Sequence, residues 1–331
     1  MNHHASDKLA GLLYGSFIAD ALALGAHWIY DQEELRRDFG RVRDFLDPRE
    51  DSYHPSKKRG EQTHYGDQAL TLLKSIKSRG RFHVSGFALD WSRMWDGYPD
   101  YFDQATKETL KHLNAGTPAK EAASKSNELG GAARIAPLLA LMSGGSVESA
   151  VAAARAQTAL THSSEIVGDA AEFLTRTVFA LLTGVELRKS IEQAASATYD
   201  ELDLRAMLQR VDVTRPLEIP LAAKSLGLAC PAPQALPTLL MLLDRCGDDF
   251  EMALIENTNA GGDNASRGLA LGMVLGAMHG KSRIPQRWLR GLRAAPRLDA
   301  FLHGLPHARP RKNKLLSRPP HHDAPVATAA N

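Results

Sequence analysis

The sequence predicts an all-α protein folded as a single compact multi-helix domain. Three observations carry that prediction. Apolar positions recur with helical spacing along most of the chain, and sustained Val/Ile/Thr alternation with hairpin turns is nearly absent. The third is a pair of small-residue ladders at opposite ends of the chain, Gly11, Gly15, Ala19 and Ala23 in one, Gly268, Gly272, Gly276 and Gly280 in the other. A glycine costs roughly 1 kcal/mol per interior helical position relative to alanine. Several on one face need a compensating contact, and small residues let two backbones approach closely. The two ladder helices are therefore expected to pack on each other at the centre of the fold.

Composition sets the outer limits. The chain has 331 residues, 44% hydrophobic and 24% charged, which is ordinary for a globular protein. Two cysteines, Cys230 and Cys246, are too few for a disulfide framework and have no metal-ligand spacing, which fits a reducing, cytoplasmic setting. The formal charge of +2 is unevenly placed: five Arg/Lys against one Asp after His303 give the tail +4 and leave the rest near −2. A near-neutral body argues against a nucleic-acid partner. No apolar run is read as approaching the roughly 18 residues of a membrane span. The N-terminal LAGLLYGSFIADALALGA only superficially resembles a secretory signal, since Asp20 interrupts it.

In chain order, residues 1–7 read as frayed, with Ser6 a candidate N-cap, and a helix follows from Lys8 to about Gly25. Residues 27–64 are polar, rich in Asp, Arg and Pro, and read as a long surface connection, a length that points to function or disorder. THYGDQALTLLKSIKSRGRF restarts a helix with Asp67 in its first turn. Residues 84–115 hold two of the four tryptophans. ELGGAARIAPLLALMSGG is a small-residue turn entering a helix. Residues 147–158, 165–184 and 187–210 are helical. Pro216, Pro220, Pro231, Pro233 and Pro237 break up the section before the buried helix LPTLLMLLDR. The domain is bounded at residues 8–302, and residues 303–331 read as a disordered basic Pro/His-rich tail.

Acidic residues at turns and helix starts are the candidates for chemistry. Asp263 follows Gly261-Gly262 and precedes an apolar helix, so it is either an N-cap worth about 1 kcal/mol or a carboxylate that holds a cation or positions water. Asp67 after Gly66 presents the same pair of alternatives. Asp20, within the first ladder helix, requires a cation or hydrogen-bond donors, and Asp169 is a weaker candidate. His162 in LTHSSE suits a cap, a ligand or a site residue, while His27 and His64 flank the acidic turns. HExxH, GxSxG and a Walker lysine are absent from the sequence.

Taken together, these segments resemble the ADP-ribosylglycohydrolase family, which also contains the J1 crystallins. The resemblance runs from about Leu9 to Arg293 and rests on five motifs in the family's order. GLLYGSFIADALALG is similar to the first helix, YGDQ to a TDDT-type helix start and GGAARIAPL to a GxGAAxRxAP turn. Thr161-His162 matches a T-H turn, and GGDNAS stands where the family has GGDTDT. The resemblance implies an all-α domain that holds two Mg²⁺ and cleaves the glycosidic bond between ADP-ribose and a side chain.

Carried over residue by residue, it makes Asp67 and Asp263 catalytic and metal-binding, adds Ser266 as a hydroxyl ligand, and places Tyr65, Gly66, Gly131, His162 and Gly262 around the substrate. A family glutamate falls at His27. The departures are informative: Tyr65, Gly66 and Asp67 replace Thr-Asp-Asp, and Ala265 offers no side-chain oxygen. Two carboxylates do not balance two dications, so one weakly held Mg²⁺ or none is expected. The resulting readings are a divergent hydrolase using Asp67 and Asp263, a non-catalytic binder of ADP-ribose or another nucleotide with Trp28, Tyr65, Tyr98 or Tyr101 facing a base, and a crystallin-like structural protein.

Overall fold

The computed structural model describes residues 3–306, which form seventeen α-helices. Among the described residues β contacts are limited to isolated bridges that pair Ser124 with His162 and Glu128 with Pro231. The chain opens with α1 (His3–Ala23), α2 (Gln32–Phe39), α3 (His64–Arg79), α4 (Val84–Arg93) and α5 (Gln104–Asn114). Then come the short α6 (Gly130–Ala133) and α7 (Ala136–Met142), followed by α8 (Val147–Thr158) and α9 (Glu165–Leu182). The next four are α10 (Leu187–Ala195), α11 (Leu204–Val213), α12 (Ile219–Leu226) and α13 (Ala232–Cys246). Last are α14 (Phe250–Ala260), α15 (Asn264–His279), α16 (Gln286–Gly291) and α17 (Ala295–Leu302).

The two ladders meet. A methyl placed on Gly15 would stand 2.2 Å from the Gly272 carbonyl oxygen, and one on Gly272 would stand 2.1 Å from that of Gly15. Gly11 and Gly276 are reciprocal in the same way, at 2.3 and 2.0 Å. The close approach puts α1 and α15 at the centre, and both are buried on all sides: Lys8 and Leu9 and every residue from Gly11 to Ala23 in one, Asn264 to Ala277 in the other. A helix covered all round has no need of a polar face, so neither shows amphipathic patterning.

Several expectations require correction. The N-terminal helix begins at His3, so the stretch read as frayed is helical from there. Asp7 secures it, its carboxylate accepting from the Ser282 amide at 3.0 Å and the Ser282 hydroxyl at 2.7 Å. The segment His3–Ala26 is, by length and composition, apolar enough to cross a membrane, contrary to the reading above; 94% of its most apolar window is buried inside the fold. The stretch 27–64 contains α2 and, while much of it is exposed, sends Val42, Phe45, His54, Gln62 and Thr63 into the interior, so the surface connection is anchored to the core.

Pro237 lies inside α13. The Pro233 carbonyl that its missing N–H leaves without a helical donor accepts instead from Arg210 Nη1 at 3.3 Å. Of the basic tail, residues 303–306 are described, and 307–331 lie outside the described residues.

Candidate functional site

The glycine pair before α15 fixes the geometry of the site. Gly261 and Gly262 have φ of 76° and 66°, and a side chain on Gly262 would meet the Leu228 carbonyl at 2.2 Å. Three backbone hydrogen bonds lock this turn to its neighbours: Gly262 donates to Ile29 at 2.8 Å, Trp28 donates to Gly262 at 3.0 Å, and Asp263 donates to Leu228 at 2.8 Å. Trp28 itself is held at φ 63°, an uncommon conformation for a bulky residue.

Asp263 caps α15 as expected, Oδ1 accepting from the Ser266 amide at 3.2 Å. The same oxygen faces His27 Nε2 at 3.2 Å, while Oδ2 accepts from the Ser266 hydroxyl at 2.6 Å and the Tyr65 hydroxyl at 3.4 Å. Burial works to raise the pKa of Asp263, but the His27 and Ser266 contacts outweigh it and hold the carboxyl below its usual range. Burial pushes His27 down, so at neutral pH the ring is uncharged and its contact with Asp263 is a hydrogen bond from Nε2–H. That tautomer leaves His27 Nδ1 as an acceptor, and His54 Nε2 lies 3.0 Å from it.

His27, His54 and His64 form a buried trio in which one ring nitrogen from each lies within 4.8 Å of the other two, an arrangement able to hold a metal ion. His64 Nε2 pairs with Asp103 Oδ2 at 3.3 Å, while His64 Nδ1 and His54 Nδ1 are buried with no hydrogen-bond partner. Burial also lowers His54, with help from the neighbouring histidines and Lys57. Above the trio is a partly exposed aromatic rim. Trp28 stacks on His27 at 4.2 Å and meets Tyr53 and Tyr101 edge-on at 4.8 and 5.1 Å.

Asp20 answers its burial with hydrogen bonds. It accepts from the Thr63 amide at 2.9 Å and the Thr63 hydroxyl at 2.5 Å, and from the Gln62 amide at 2.9 Å once that side chain is oriented to suit its neighbours. Burial still pushes it up to about 7. Gly66 is required here, because a methyl on it would lie 2.2 Å from Asp20 Oδ2. Thr63 caps α3 and so presents His64 and Tyr65 toward the site. Asp67, one turn further, pairs with Lys57 Nζ at 2.5 Å and accepts from Tyr98 at 2.9 Å.

A third wall comes from α6. Gly130 and Gly131 are small because the Tyr65 and His162 rings lie against them, each 2.5 Å from where a methyl would stand. Arg134 is buried beneath, donating to Gln157 at 2.6 Å, Gln68 at 2.5 Å and Thr161 at 2.6 Å. Burial and the Arg134 charge push His162 down to about 3, so it is a neutral wedge bonded through Nδ1 to Thr161 at 2.8 Å. Glu128, just ahead of α6, has a buried Oε2 without a hydrogen-bond partner. Burial, then the Asp103 and Asp263 charges, raise it to about 7. Burial and the charges of Asp263 and Glu128 likewise keep the Cys230 thiol protonated.

Of the residues expected from sequence, Asp263, Ser266, Tyr65 and His27 are joined by direct contacts. Gly262 shapes the turn, Gly131 and His162 support the opposite wall, and Gly66 admits the Asp20 carboxylate. Asp67 takes partners of its own and shares none with Asp263. Asp169 belongs elsewhere, accepting from Arg155 at 2.8 Å and from the Glu201 and Leu202 amides. His54 and Glu128 were missed. His54 lies in a stretch without periodicity, and only the glycine pair two residues downstream marks Glu128.

The ADP-ribosylglycohydrolase family model matches residues 1–314. Uncharacterized protein YegU of Escherichia coli (strain K12) is 22% identical over 315 residues, spanning 89% of this chain and 94% of that protein. An uncharacterized protein of Archaeoglobus fulgidus is 25% identical over 291 residues, spanning 87% and 92% respectively. Among solved structures, an ADP-ribosylglycohydrolase-related protein complex aligns with TM-score 0.74 and 25% identity, over 92% of this chain and 98% of that one.

Proposed function

Since the chain belongs to the ADP-ribosylglycohydrolase family, we propose that it hydrolyses an N- or O-glycosidic bond of an ADP-ribosyl or related substrate at Asp263. The observation that carries this reading is the placement of Asp263. Its carboxylate sits on the family's GGD turn, is oriented by His27, Ser266 and Tyr65, and lies beneath an aromatic rim suited to a nucleotide base.

The Mg²⁺ pair of the family does not fit these residues. Gly66 and Ala265 carry no oxygen donor, Asp67 is neutralised by Lys57, and Asp263 is committed to three side chains. An oxygen octahedron is not available from this set. The reading therefore rests on protein groups. Asp263 supplies negative charge against a developing oxocarbenium ion. Glu128 gives a proton to the leaving atom as the glycosidic bond breaks and recovers one from the water that adds to the anomeric carbon. Two carboxyl groups whose surroundings push them in opposite directions suit such a division of roles.

The test is release of free ADP-ribose from arginine- and serine-linked ADP-ribosyl peptides, followed by mass spectrometry. Wild type should turn over at least one linkage, and Asp263→Asn should lose about 10²-fold or more. The Lys57–Asp67 pair favours a second reading, a binder that retains the fold without catalysis. Saturable binding of ADP-ribose with no turnover of either linkage would select it.

A further inference from the structure

We propose that His27, His54 and His64 bind one late first-row divalent transition metal ion of the Zn²⁺ class, at a nitrogen-donor site in place of an oxygen-ligated Mg²⁺ centre. The site does not depend on the hydrolytic reading, since occupancy is measurable without turnover.

The donor geometry is nearly assembled. Zn–N bonds of about 2.0–2.1 Å at a tetrahedral angle set the ligand nitrogens roughly 3.3 Å apart. His27 Nδ1 and His54 Nε2 are already 3.0 Å apart, and a His64 nitrogen lies within 4.8 Å of the other two ligand atoms. Two of the rings are backed by carboxylates, His27 by Asp263 at 3.2 Å and His64 by Asp103 at 3.3 Å. Carboxylate–histidine pairs of this kind orient ligating imidazoles, and the two negative charges balance a dication in a buried place.

Packing alone accounts poorly for the trio. Three imidazoles stacked as filler would be expected to satisfy their polar atoms, yet His64 Nδ1, on the side of the ring away from Asp103, is buried without a hydrogen bond. An ion supplies the missing interaction. Imidazole nitrogen selects Zn²⁺, Co²⁺, Ni²⁺ or Cu²⁺, whereas Mg²⁺ requires hard oxygens. The three histidines come from different segments: the turn after α1, the long connection, and the first residue of α3. A bound ion would pin the long connection to the core, and three protein ligands leave one coordination position open.

The experiment uses the full chain, stripped with chelator and then dialysed against Zn²⁺, Co²⁺ or Mg²⁺. Expected are about one Zn²⁺ per chain by elemental analysis, X-ray absorption showing imidazole ligation, and a Tm rise of about 5 °C at free Zn²⁺ a hundredfold above Kd, with no rise for Mg²⁺. His54→Gln and His64→Gln should each abolish stoichiometric binding, and their melts in chelator should match wild type within a few degrees. If one of these variants fails to fold, X-ray absorption of the wild-type protein decides. No bound Zn²⁺, an absorption spectrum without imidazole, or full binding retained in a folded His54→Gln variant (which places the ion on surface histidines) would overturn the proposal.

Discussion

Replacing Asp20 with asparagine should stabilise the protein above pH 7 and change it little at pH 4. Asp20 is fully buried, and its three donors leave it without a cation in contact. Burial raises it from 3.8 to about 7. A carboxyl whose folded pKa exceeds its unfolded value contributes stability that is fully present below the unfolded pKa and is lost as pH rises through the folded one. For Asp20 the loss runs from about pH 4 to about pH 7. At about 1.4 kcal/mol per pKa unit, a shift of roughly three units amounts to about 4 kcal/mol.

Asparagine reproduces the protonated acid: its amide oxygen accepts from the Thr63 amide and its NH₂ donates to the Thr63 hydroxyl oxygen. It cannot ionise, so it avoids the loss. Urea unfolding of both proteins at pH 4, 5, 6, 7 and 8 should give curves that coincide at low pH and separate to about 3–4 kcal/mol in favour of the variant by pH 8. Parallel curves, or a variant less stable at pH 8, would refute the assignment of Asp20 as a carboxyl ionised at a cost. The consequence reaches the site, because Thr63 caps the helix that presents His64 and Tyr65.

Two further predictions follow from the geometry. Gly272→Ala puts a methyl 2.1 Å from the Gly15 carbonyl oxygen, against an ordinary contact of at least 3.4 Å, so the central helices must part by about 1.3 Å. Even after the roughly 1 kcal/mol gained in helix propensity, it should destabilise by at least about 2 kcal/mol in denaturant melts, and an unchanged midpoint would contradict the packing account. Glu128→Gln should remove a descending limb near pH 7 from the profile of kcat/KM and lower its maximum about 10²-fold; a limb that persists assigns the proton to another group.

The parts of the molecule that could be read from sequence were those with local signatures. The two ladders predicted the central helix pair because backbone contact excludes side chains and leaves only small residues on the contact face. Asp263 could be read as a cap because its capping hydrogen bonds reach only to Ser266, three residues on, whereas its contacts with His27 and Tyr65 have no local signature. Asp20 was correctly flagged as needing donors, but neither Thr63 nor Gln62 is near it in sequence.

The inward anchors of the stretch 27–64 were not legible for a physical reason. The stretch takes its shape from single contacts distant in sequence, such as Val42 to Asn259 and His54 to His27, which impose no period on the residues between them. His162 and Gly131, expected around the substrate, pack against each other in the wall formed by α6. Chemistry that depends on three imidazoles from three segments leaves no spacing to find, and hydrogen bonds to side chains far along the chain decide which carboxylates remain available.

The most direct test of the account is quantification of free ADP-ribose released by wild-type protein and by Asp263→Asn from arginine- and serine-linked ADP-ribosyl peptides, after chelation and after addition of Zn²⁺ or Mg²⁺. The account predicts turnover of at least one linkage by wild type, no gain from Mg²⁺, and a loss of about 10²-fold or more in a variant that still melts cooperatively. Equal release by wild type and Asp263→Asn, or release that appears only with Mg²⁺, would contradict it.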